Sequence, residues 1–135
     1  MFETKNLIIR PSEWGDLNDF FAWEQMPEVT EFFSISDGQA MEDVVRKYVS
    51  DDNEPTARQF TILLKGEGEP KKIGRIVLGD IEEGWKAEIW RIYIADTALR
   101  GKGYGKEAME AIMAYCFAEL KLERLYLDHY TGNPA

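Results

Sequence analysis

The sequence has one cysteine, Cys116, and one histidine, His129. A single cysteine excludes an intrachain disulfide framework. One cysteine with one histidine does not make a usual zinc site, so no metal is expected. Long apolar runs are missing too: nothing approaches the roughly 18 residues that cross a bilayer. The opening Met1-Phe2-Glu3-Thr4-Lys5 has no apolar segment of the secretory kind. These absences suggest a cytoplasmic protein with no membrane partner. Positive charge is scarce. Lys and Arg number 16 against 25 Asp and Glu, for a net charge of -9. That argues against nucleic acid, whose phosphates require a basic surface. An acidic surface fits a cationic or amine-bearing substrate drawn to a negative cleft. It also serves solubility alone, and charge by itself leaves both readings open.

Internal repeats, low-complexity tracts and long Pro/Gly/Ser linkers are absent as well. With 135 residues, 44% of them apolar, one domain with a single core is expected over 1–135. Leu7-Ile8-Ile9-Arg10, closed by Pro11, predicts a first strand. Ser12 is placed to cap a helix over about Glu13–Glu24, with Leu17, Phe20, Phe21 and Glu24 on one face and Pro27 ending it. Ser36 or Asp37 is placed to cap a second helix through Val49, with Met41, Val44, Val45 and Tyr48 as its apolar stripe. The polar stretch Ser50–Pro55 reads as a loop. The period then changes. Gln59–Lys65, Ile73–Ile81 and Trp85–Ile94 read as strands joined by glycine-containing turns, an antiparallel meander. A helix is predicted over Gly103–Leu120, with Ala108, Met109, Ile112, Met113, Tyr115 and Cys116 facing a core. A last strand over Arg124–Tyr130 would run parallel to its neighbour because a helical crossover precedes it. The order β-α-α-β-β-β-α-β gives a mixed α/β domain: a mostly antiparallel sheet with helices on both faces.

The segment Leu99-Arg100-Gly101-Lys102-Gly103-Tyr104-Gly105-Lys106-Glu107 carries the chemistry. Glycines at alternate positions let the backbone curl and let an anion come close. The helix that begins here leaves free N–H groups at its positive end. Arg100, Lys102 and Lys106 reverse the sign of an otherwise acidic chain. A phosphate or pyrophosphate ligand is the implication. The P-loop pattern fails, because Glu107 stands where Ser or Thr must hold magnesium. The dinucleotide fingerprint fails too, because its third glycine would fall on Lys106.

The segment does match [RQ]-x-x-G-x-[GA], as Arg100-Gly101-Lys102-Gly103-Tyr104-Gly105. With the strand Glu88–Ile94 before it, the amphipathic helix inside it and Asn133 beyond the last strand, the chain resembles the GNAT acetyltransferases. Within them it is most similar to the branch acting on ribosomal proteins and small amines. The resemblance implies the acyl-CoA N-acyltransferase fold and acetyl-CoA as acetyl donor. It implies transfer of the acetyl group to a primary amine of a small molecule, polyamine, protein or peptide. It places pantetheine along the backbone of Ile92, Tyr93 and Ile94, as an added strand. It also places the pyrophosphate on the amides of Arg100, Gly101, Lys102, Gly103, Tyr104, Gly105 and Lys106, and Asn133 on the pantetheine arm. An Asn-Pro turn would equally account for Asn133.

Glu88 is the candidate general base, one residue out of register with the base of the histone-acetylating members; the other reading is a surface carboxylate. Strand alternation would put Glu88, Trp90, Ile92 and Ile94 on one face and Ile89, Arg91 and Tyr93 on the other. Glu24 and Glu31 are rivals for gripping an amine, and a backbone N–H near Ile94 could polarise the thioester carbonyl. His129, beside Tyr130 and Tyr126, reads as structural, and Cys116 as core. GNAT chains continue after this Asn-Pro-Ala with a helix, often bearing a tyrosine acid, and two strands. The expectation is therefore an incomplete domain, or a sheet completed by a second copy through dimerisation or strand exchange, with no tyrosine acid to assign. A non-catalytic acyl-CoA-binding or sensory module is the alternative function.

Overall fold

The apolar runs of the meander pair edge to edge as their alternation requires. The computed structural model describes residues 2–26, 40–99 and 101–127. Within them the strands are β1 (Phe2–Glu3), β2 (Leu7–Pro11), β3 (Arg58–Leu64), β4 (Lys71–Glu82), β5 (Lys86–Ile94) and β6 (Arg124–Leu127), and the helices are α1 (Leu17–Trp23), α2 (Met41–Asp52) and α3 (Tyr104–Ala118). One sheet holds the strands in sequence order. Every neighbouring pair is antiparallel except β5 and β6, which are parallel from Lys86–Arg124 to Ile89–Leu127. The parallel last pair is as the crossover predicts.

Helix α3 covers one face. Ala108, Ala111, Ile112 and Cys116 pack on Leu7, Ile9, Ile62, Ile76, Leu78, Ala87 and Ile89. Helices α1 and α2 cover the other face and meet through Leu17, Phe20, Val44 and Tyr48.

Helix capping departs from the sequence reading. Ser12 does not cap α1; its hydroxyl lies 3.0 Å from that of Thr61. A single 3-10 turn over Trp14–Asp16 opens the helix instead, and the Glu13 N–H donates to Asp16 at 2.8 Å. Asp16 is buried and also receives Arg10, Lys72 and the Thr61 hydroxyl, each at 2.8 Å. Burial works to raise its pKa, but these partners outweigh it and hold the carboxyl well below the usual range. Ser36, Asp37 and Pro27 lie outside the described residues. The residue before α2 is Ala40, whose N–H donates to Asp43 at 3.1 Å. Ser50–Asp52 belong to α2 rather than to a loop, because Asp51 turns inward and takes Lys47 at 3.2 Å.

Candidate active site

Three features meet around the end of β5: a bulge, a strand edge that no described residue pairs beyond Ile89, and the glycine turn. The bulge comes first along the chain. Leu78 pairs with Ile89 but Val77 pairs with Arg91, so Trp90 is the extra residue on β5. One extra residue exchanges the faces of everything beyond it. Ala87 and Ile89 face α3 before the bulge, and Ile92 and Ile94 pack on that same core after it. Glu88 and Trp90 lie on the opposite face, where the Trp90 indole N–H donates to Glu88 at 3.0 Å and Lys47 of α2 stands 5.2 Å above the ring. Glu88 therefore does not share a face with Ile92 and Ile94, and simple alternation fails here because of the bulge. Gly79 makes room for it: a Cβ there would fall 2.0 Å from Trp90 Cε2.

The bulge also fixes which backbone groups of β5 look outward. The Ala95 N–H donates to the Ile73 carbonyl at 2.7 Å. Alternation in an antiparallel pair then spends the groups of Tyr93 on Arg75, and turns those of Ile92 and Ile94 toward the β6 edge. Among Ile92, Tyr93 and Ile94, the first and last turn their backbone groups to this edge, and Tyr93 turns its groups to β4. The described ladder with β6 stops at Ile89.

The glycine turn follows a single 3-10 turn over Thr97–Leu99. Gly101 (φ +83°) and Gly103 (φ +84°) are both left-handed, a region that costs other residues about 1–2 kcal/mol. Gly103 is the N-cap of α3 and supplies no side-chain cap, so the first amides of a helix of 15 residues keep their N–H groups free of one. Lys102, Gly105 and Lys106 are exposed around it, and Tyr104 packs on the core. The donors, the positive helix end and the missing Cβ atoms suit a pyrophosphate. Glu107, one residue on, points back into the protein. It accepts from the Thr4 hydroxyl, and from the Asn6 N–H and amide at 2.8 and 2.9 Å. Burial acts to raise its pKa; the Thr4 and Asn6 donors outweigh it and lower it. Arg100, Asn133, Glu31, His129 and Tyr130 lie outside the described residues.

On the α2 face, Thr56, Asp80, Ile81, Glu82, Lys86 and Glu88 line a cleft of about 240 Å³. Carboxylates outnumber its one lysine, which stands 3.7 Å from Glu82. Glu24 is not among them. It is fully buried, bonded by Arg75 at 2.6 Å, by Arg91 and by the Tyr93 hydroxyl at 2.7 Å, so its carboxylate is not open to an amine. Among the described residues no group of three or more His, Cys, Asp or Glu could hold a metal, and no helix is long and apolar enough to cross a membrane.

A six-stranded sheet with a bulged strand, a strand edge that no described residue pairs beyond Ile89, and a glycine turn opening the next helix is the architecture that the family comparison identifies. Residues 6–135 match the family model described as an acetyltransferase (GNAT) domain. An uncharacterized N-acetyltransferase, YnaD, from Bacillus subtilis (strain 168) is 28% identical over 122 residues, covering 90% of this chain and 68% of that one. Spermidine N-acetyltransferase from Vibrio cholerae, solved with CoA and spermine, superposes with a TM-score of 0.79 at 21% identity, over 92% of this chain and 71% of that one. A GNAT-family acetyltransferase from Bacillus anthracis gives 0.74 at 23% identity, over 93% and 70%. The chain belongs to the GNAT acetyltransferases, enzymes that move an acetyl group from acetyl-CoA to an amine. A non-catalytic module is not the favoured reading.

Proposed function

We propose that the acceptor is a cationic primary amine of the alkylamine or polyamine kind, that it enters from the α2 face, and that the chemistry takes place where β5 leaves its bulge. The observation that carries this is the position of Glu88, inside an acidic cleft and on the strand that, four residues on and past the bulge, turns the backbone groups of Ile92 to the outer edge. Pantetheine would pair with the outward groups of Ile92 and Ile94. The pyrophosphate would take the amides from Arg100 to Lys106, and Asn133 would hold the pantetheine arm. A backbone N–H of this edge, at its bulge end rather than at Ile94, is the donor suited to the thioester oxygen as charge develops there.

The carboxylates of Asp80, Glu82 and Glu88 favour an ammonium ion over a neutral or anionic acceptor. The ammonium first gives one proton to solvent, and the neutral amine nitrogen bonds to the acetyl carbon. Glu88, directly or through water, takes the second proton from that nitrogen; the C–S bond breaks, and CoA leaves as the thiolate, which takes a proton from water. The similarity to a spermidine acetyltransferase supports a polyamine acceptor; peptide amines are the second class to test. The experiment is thiol release from acetyl-CoA across spermidine, monoamines, a lysine peptide and an uncharged aromatic amine. Equal rates for charged and uncharged acceptors would overturn the cationic assignment, and no release with any amine would overturn the amine reading.

A further inference from the structure

Glu24 stands at the end of α1, on the same stripe as Leu17 and Phe20, and is buried with them. Its carboxylate holds Arg75, Arg91 and Tyr93. Arg75 continues the network to the Gln59 side-chain carbonyl at 2.7 Å, and Gln59 donates to the Tyr48 carbonyl at 3.1 Å. Burial acts to raise the Glu24 pKa, but Arg75 and Arg91 outweigh it and keep the group ionised. This is a costly arrangement. Two guanidinium groups share one carboxylate, and among the described residues the buried Nε of Arg75 has no partner. Apolar replacements of buried ion pairs are often as stable or more stable, and specificity of arrangement is one reason such pairs are kept.

What the cluster specifies can be read from the strand register. Arg91 and Tyr93 bracket Ile92 directly after the bulge, and Arg75 is the partner of Tyr93 on β4. If the bulge were lost and β5 slipped by one residue, Ile92 would pair with Arg75. The backbone groups of Ile92 and Ile94 would then be spent on β4. The same slip would push Arg91 and Tyr93 into the apolar core under α3 and set Ile92 against a buried carboxylate. We infer that Glu24 is a positioning residue: by gripping Arg91 and Tyr93 it pins the bulge at Trp90, and so keeps the Ile92 and Ile94 backbone groups on the edge where acetyl-CoA binds. The inference rests on the coenzyme placement proposed above.

Two variants test it, each measured for melting temperature, CoA affinity by calorimetry and amide hydrogen exchange at Tyr93. Glu24→Gln keeps the shape and loses the charge. The triple variant Glu24→Leu, Arg75→Met, Arg91→Met replaces the ionic cluster with apolar volume and decides the matter if the single variant melts too low. The triple variant is expected to melt at or above the wild type, yet to bind CoA about 10-fold or more weakly, because a slipped strand withdraws backbone hydrogen bonds whose loss costs roughly 3- to 10-fold each. The Tyr93 amide, bonded to β4 in the wild type, should exchange faster in both variants. A purely structural role would make affinity follow melting temperature, as it should for a core variant such as Ile9→Val. Unchanged Tyr93 exchange with wild-type CoA affinity would overturn the inference. A wild-type protein that bound no CoA would instead overturn the coenzyme placement, and the exchange measurement would still decide whether Glu24 pins the register.

Discussion

Replacing Gly103 and Gly105 separately by alanine should move the melting temperature in opposite directions, although the two lie in one turn. Gly103 caps α3 at φ +84°, and a Cβ there meets nothing within 4 Å. The whole cost is the left-handed backbone, about 1–2 kcal/mol. For a domain of this size 1 kcal/mol is roughly 3–6 °C, so Gly103→Ala should melt about 3–12 °C below the wild type. Gly105 sits in the first helical turn, and its Cβ would lie an ordinary 3.9 Å from Ile94 Cγ1. Alanine is favoured over glycine in a helix by roughly 0.5–1 kcal/mol, so Gly105→Ala should melt at or slightly above the wild type. Calorimetric melts and CoA titrations on the same samples check both arms. If instead the free turn relaxes and must take up the left-handed strain again on binding, the cost leaves the melt and appears as an about 5- to 30-fold loss of CoA affinity. Lys102→Ala should lose much less, since it removes only a screened, exposed charge. Equal melting shifts for the two alanines, or a larger loss of affinity at Lys102, would refute the claim that backbone shape makes this site.

Glu88→Gln should lower turnover by about 10²- to 10⁴-fold and leave CoA affinity unchanged, with loss of the acidic limb of the pH–rate profile; wild-type turnover would return Glu88 to the role of a surface carboxylate. Gly79→Ala should displace the Trp90 indole, since the new methyl would fall 2.0 Å from Cε2, and would be seen as a changed Trp emission and a weaker bulge. Asp16 titrates below its ordinary 3.8 in the folded protein. Its contribution is therefore complete above that value and lost as pH falls through it toward the folded pKa. Melting temperature should drop below about pH 4, and Asp16→Asn should flatten that acid limb while lowering stability at neutral pH.

The glycine turn was legible because its signal is local: alternate glycines, a sign reversal of charge, and a helix pattern starting inside the motif. The meander and the parallel last strand were legible from period and turn residues for the same reason. The bulge at Trp90 was not. A bulge is a property of two strands, set here by Gly79 on the partner strand, and nothing in Ala87–Ile94 alone distinguishes it from plain alternation. That one residue moved Glu88 off the face of Ile92 and turned the backbone groups of Tyr93 to β4 rather than to the outer edge. The Glu24 cluster left two traces that were open to reading: a carboxylate on the apolar stripe of α1, and Arg75 inside the run Ile73-Gly74-Arg75-Ile76-Val77-Leu78. Each looks like an exception alone; they make sense only as partners 2.6 Å apart. The displaced cap at Ser12 has a similar cause, since Asp16 was claimed by Arg10 and Lys72 from elsewhere in the fold.

The core position of Cys116 has a practical side. It is the chain's one cysteine, it is fully buried on the core face of α3, and burial pushes its thiol up to about 11. Thiolate is the reactive form, so the folded protein contributes almost no background when disulfide reagents are used to count released CoA. For the same reason a cysteine introduced at exposed Lys102 would be the single site open to maleimide. A fluorophore attached there would stand on the glycine turn proposed to take the pyrophosphate, and would report coenzyme arrival in real time if that placement holds.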